Sequence, residues 1–88
     1  MITVPEAVKR LKKRHPDVVV KKAAVLSEDF YIFLAPVKGI KDDFNDPYYL
    51  VDTDEGEVYT FSPVDYMGDV IDAFENRRIN LKKVMRNE

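Results

Sequence analysis

Tyr48-Tyr49-Leu50-Val51-Asp52-Thr53-Asp54-Glu55-Gly56-Glu57-Val58-Tyr59-Thr60-Phe61 decides the fold of this 88-residue chain. Residues 48–52 and 57–61 are rich in aromatic and β-branched side chains, which fit a pleated surface, and both read as strands. Thr53-Asp54-Glu55-Gly56 joins them as a hairpin loop, with Gly56 placed for the positive φ that such turns require.

Upstream, Phe30, Ile32 and Leu34 fall on one face of a strand over residues 30–35, with Tyr31 and Phe33 on the other. Apolar residues on both faces predict a central strand. Residues 18–26 are β-branched and apolar apart from Lys21 and Lys22 and read as a further strand, ended by the polar break Ser27-Glu28-Asp29. Residues 36–47 form a long polar loop holding Gly39, Asp42, Asp43, Asn45 and Asp46.

A helix flanks the strands on each side. Thr3 and Glu6 have the spacing of a capping box, Pro5 suits the first turn, and Val4, Ala7, Val8 and Leu11 make one apolar stripe. Pro16 disfavours helical geometry at His15 and ends this helix near Arg14. Ser62-Pro63-Val64-Asp65 is a second start signal, for a helix to about Asn76 that turns Val64, Met67, Val70, Ile71 and Phe74 to the core. Gly68 within it either weakens the helix by up to ~1 kcal/mol relative to Ala or marks close packing. The order is helix, four-stranded antiparallel meander, helix: an α+β domain over residues 1–79, with both helices most simply on one face of the sheet. Residues 80–88 are a basic tail. Leu81, Val84 and Met85 at helical spacing give it one short amphipathic stretch, which needs docking to be stable.

Composition bounds the function. A chain of this length buries roughly 60–65% of its unfolded surface, and 45% hydrophobic with 34% charged residues is the balance of a folded protein. The absence of cysteine removes disulfides, thiolate catalysis and zinc ribbons and fits a reducing cytoplasm. No apolar run approaches the ~20 residues that cross a bilayer, and Met1-Ile2-Thr3-Val4-Pro5 lacks the pattern of a signal peptide. The expectation is a cytoplasmic protein without a membrane partner. Formal charge is segregated: +5 over residues 1–22, −11 over residues 23–76 and +4 over residues 77–88.

Catalytic equipment is not evident. His15 has no local nucleophile or carboxylate partner and sits where a helix C-terminus suits it. Counted as a calcium loop from Asp52, Gly56 falls at position 5 and Pro63 at position 12, so the spacing fails. Asp65, Asp69 and Asp72 share a polar side of the second helix, where solvation is the ordinary role of carboxylates. No phosphate loop, nucleophile elbow or metal triad is present, and no cofactor is expected.

The stretch Asp46-Pro47-Tyr48 through Phe61, followed by a Ser-Pro helix start, resembles the YrhB-like small immunity proteins of bacterial polymorphic toxin systems. It is similar also to the hairpin of PepSY-type domains and to small proteins of tailed-phage structural gene clusters. The resemblance covers residues 46–79. The immunity family implies a cytoplasmic, non-catalytic protein that blocks a toxin by binding it. The phage likeness implies a virion or assembly component, or an accessory protein acting on a host target.

The expected function is thus non-catalytic protein binding, to a toxin, a phage structural protein, a host target or a second copy. Nucleic-acid binding through the basic termini ranks behind it. Candidate contact residues are Lys38, Ile40, Asp42, Asp43 and Phe44 in the long loop, Asp65, Asp69 and Asp72 on the second helix, and Arg77, Arg78, Lys82 and Lys83 beyond it.

Overall fold

The computed structural model describes residues 1–39, 47–61 and 67–85. Helix α1 (Val4–Arg14) is followed by strands β1 (Lys22–Val25), β2 (Phe30–Leu34), β3 (Tyr48–Asp52) and β4 (Val58–Phe61). Helix α2 (Met67–Asn76), strand β5 (Arg78–Ile79) and the helical turn α3 (Leu81–Val84) complete the order. The α+β class and antiparallel meander hold, and β5 adds a fifth strand on the far side of β1, giving the order β4-β3-β2-β1-β5. Residues 40–46 and 62–66 lie outside the described residues, so the readings of Ile40, Asp42, Asp43, Phe44, the Ser62 cap, Val64 and Asp65 go with them.

Thr3 caps α1 by accepting the Glu6 N–H on Oγ1 at 3.3 Å. The reciprocal half of the capping box is absent, because the Glu6 carboxylate turns one helical turn forward to Arg10 Nε at 3.2 Å. At the other end His15 donates its N–H to the Leu11 carbonyl, and its ring packs on Tyr49 with centroids 4.6 Å apart. Regular β1 is shorter than the apolar run of residues 18–26. Val19 and Lys21 still bond to Pro36 and Leu34, and Val18 bridges Val37.

Residues paired across antiparallel strands point to the same face. Ala23, Phe33 and Tyr49 are in register, as are Val25, Tyr31, Val51 and Val58. These residues line face A, where Ala7, Val8 and Leu11 of α1 join them and Ile79, Leu81 and Met85 pack at the margin. Ala24, Ile32 and Leu50 form a row on face B, where Val70 and Ala73 of α2 cover Ala24 and Ile32. The two long helices therefore contact opposite faces, which corrects the expectation of one shared face. The reason is topological: β4 and β5 are at opposite edges, so the connection between them must cross a face, and α1 already occupies face A.

β2 is the middle strand, and residues 31–35 are all buried. Burying side chains such as Phe33, Ile32, Leu11 and Val51 contributes about 1.5–3 kcal/mol each. On α2 the buried stripe is Val70 and Ala73, with Phe74 half-buried, while Met67 and Ile71 are each 49% exposed instead of core-facing. Ile71 lies one residue, about 100° of helical rotation, beyond Val70 and so turns off the sheet.

Candidate functional site

Face B carries two open grooves beside α2. α2 is 10 residues long and covers a band only about 10 Å across, leaving apolar floor beside it. Leu26, Ser27, Phe30, Leu50 and Phe61 line an open groove of about 520 Å³, bordered by Asp69 of α2 and by Arg77 just beyond its end. Tyr59 stands at the sheet edge, 45% exposed, and packs edge-on against Phe30 with centroids 6.2 Å apart. A second groove of about 310 Å³ on the same face runs between Leu34, Tyr48, Met67, Val70, Ile71 and Phe74.

The strand register sets the places of these side chains. Phe30 stands opposite Asp52, Leu50 opposite Tyr59, and Tyr48 opposite Phe61. The hairpin turn behind them is fixed from several sides. The Asp52 carboxylate accepts the N–H groups of Asp54 at 2.7 Å and Glu55 at 3.3 Å. Gly56 adopts φ +75° and donates to the Asp52 carbonyl at 2.9 Å. Thr53, 2% exposed, donates its N–H to Asp29 O and its hydroxyl to Glu28 O, both at 2.9 Å, and accepts the Ile2 N–H at 2.6 Å. Tyr31 Oη then donates to the Ile2 carbonyl at 2.9 Å. One buried threonine thus ties together two hairpin turns and the start of the chain.

The charged candidates separate into distinct places. Asp69 and Arg77 border the apolar groove. Asp72 is engaged by Arg77 Nη2 at 3.2 Å and Asn76 Nδ2 at 2.8 Å, so it is part of a local helix-end network. Arg78 and Lys82 line a different groove of about 400 Å³ at the β5 edge, together with Lys21, Lys22 and Asn80. Basic residues from both ends of the sequence converge there. Lys83 is exposed on α3, and its N–H caps onto Asn80 Oδ1 at 3.2 Å. Lys38 is exposed on the β2–β3 connection, where its N–H donates to Asp17 O at 2.7 Å.

Sequence reasoning missed the groove itself. Phe30 and Leu50 read as strand residues, and that they stay half-buried rather than fully covered follows from how little of face B one helix covers. The strand alternation carried half of this signal; the crossing of α2 carried the rest. Among the described residues no three acidic or histidine side chains cluster closely enough to share a metal ion, and no helix is long and apolar enough to cross a membrane. Comparison with known proteins found no matching family model, no similar curated protein and no similar solved structure.

Proposed function

We propose that this chain is a non-catalytic protein-binding module whose contact surface is the part of face B beside β4. The observation that supports it is the groove of Leu26, Phe30, Leu50 and Phe61, apolar at its floor, with Asp69 and Arg77 at its rim and exposed Tyr59 at the sheet edge. An apolar centre with a polar rim and aromatic anchors is the anatomy of protein interfaces. An immunity-type inhibitor of a toxin is the specific form suggested by the resemblance of residues 46–79, with a tailed-phage assembly component as its alternative.

Products of the neighbouring reading frames, titrated into isotopically labelled protein, test this. A true partner shifts the resonances of Leu26, Phe30, Leu50 and Phe61 and loses affinity on Phe61→Asp. Binding confined to α1, or insensitive to that substitution, contradicts the assignment of the surface.

A second reading is an anionic partner held at the β5 edge, favoured by the convergence of Lys21, Lys22, Arg78 and Lys82 on one groove. Affinity for single-stranded or duplex nucleic acid, measured against salt, checks it. A slope near zero removes phosphate contact from consideration.

A further inference from the structure

The two edges of the sheet are unequal. β5 is two residues long and carries Arg78, features that blunt an edge against pairing. β4 is Val58-Tyr59-Thr60-Phe61, all strand-forming types without charge, proline or glycine, and among the described residues no strand pairs with its outer side.

The ladder says which of its backbone groups face outward. Asp52 N–H bonds to Glu57 O at 2.9 Å on the inner side, and Thr53 N–H bonds to Asp29 O on the opposite side of β3. Antiparallel pairs alternate between bonded and non-bonded. Tyr59 and Phe61 therefore bond inward to Leu50 and Tyr48, their partners in register, while Val58 and Thr60 direct N–H and C=O away from the sheet.

We propose that β4 pairs antiparallel with β4 of a second copy, about a two-fold axis through Tyr59. In this register Val58 stands opposite Thr60 of the second copy and Thr60 opposite its Val58. Both are bonded pairs, so the outward donors and acceptors of the two residues are used completely in four hydrogen bonds. Tyr59 meets its own counterpart in the closer, non-bonded pair, the arrangement in which cross-strand aromatic contacts are strongest. Glu57 stands opposite Phe61 of the second copy, so no like charges face one another across the seam. The interface is self-complementary and closes at two chains. It also brings the two face B grooves side by side, and in that respect deepens the function proposed above, on which it rests for its purpose but not for its test.

Sedimentation velocity on the full chain over about 10–500 µM reads the outcome directly. A two-chain species is expected. Thr60→Pro removes only an outward N–H, which an edge strand tolerates, and weakens the dimer at least about tenfold with an unchanged circular dichroism spectrum. Tyr59→Lys, which sets like charges at the axis, does the same and serves as the independent check if the proline variant fails to fold. A wild-type monomer throughout that range overturns the pairing, as does a dimer that both folded variants leave intact. Because no other protein enters the experiment, such a result leaves the partner titrations on face B to be decided on their own.

Discussion

Arg10 occupies the space that a side chain at Gly56 would need. A Cβ built on Gly56 would overlap the Arg10 Cδ, Nε and Cζ atoms, and Arg10 Nη1 donates to the neighbouring Glu55 carbonyl at 3.0 Å. The first helix is thereby latched to the β3–β4 turn. Replacing Gly56 by Ala brings a left-handed backbone penalty and pushes the flexible Arg10 side chain off the turn, breaking its bond to Glu55 O, and chemical denaturation is expected to show a loss of about 2 kcal/mol. The loss should be smaller in an Arg10→Ala background, since the overlap is then gone. Equal penalties in both backgrounds would remove the latch from the explanation.

Thr53 provides a second test of how the turns are held. Thr53→Val keeps the shape and both backbone bonds but deletes the hydroxyl donor to Glu28 O. A loss of about 1 kcal/mol is expected from equilibrium unfolding. Amide exchange should quicken most at the 27–29 turn and least in α2.

The opposite placement of α1 and α2 is testable with two adjacent residues. Ala23 and Ala24 are both fully buried in β1, but Ala23 packs in the cluster with α1 and Ala24 in the cluster with α2. Ala24→Leu overpacks face B at a cost of about 1–3 kcal/mol and should raise amide exchange in α2 while sparing α1. Ala23→Leu should do the reverse at face A. If both substitutions disturb the same helix, the assignment of α1 and α2 to opposite faces fails.

These residues also show what the sequence disclosed. The 48–61 hairpin is legible because both strands are rich in aromatic and β-branched residues and Gly56 marks the turn; α1 is legible from Thr3, Pro5 and its stripe. β5 was not, since two residues have no period and Arg78-Ile79 pairs only through the position of β1. Without β5 at the far edge, nothing in the sequence forces α2 across face B, and so the one-face arrangement looked simplest. Of the candidate contact residues, Asp69 and Arg77 do border the groove, but its floor comes from Phe30, Leu50 and Phe61, which are half-buried and whose remaining exposure is set by tertiary coverage and not by local pattern.

The basic groove yields a prediction of its own. Lys22→Glu and Arg78→Glu, made together, reverse charge on adjoining strands at the β5 edge. If an anionic partner binds there, its affinity falls and the salt dependence of binding flattens. Because both side chains are exposed, the fold itself should change in stability by no more than about 0.5 kcal/mol.

The free edge of β4 is examined most directly by amide hydrogen exchange at two protein concentrations about tenfold apart. At the lower concentration the outward amides of Val58 and Thr60 should exchange much faster than the inward amide of Tyr59. At the higher one they should slow toward it as the second copy pairs. Val58 and Thr60 amides that stay fast at both concentrations, or are already protected at the lower one in a monomer, would contradict an edge held open for another chain.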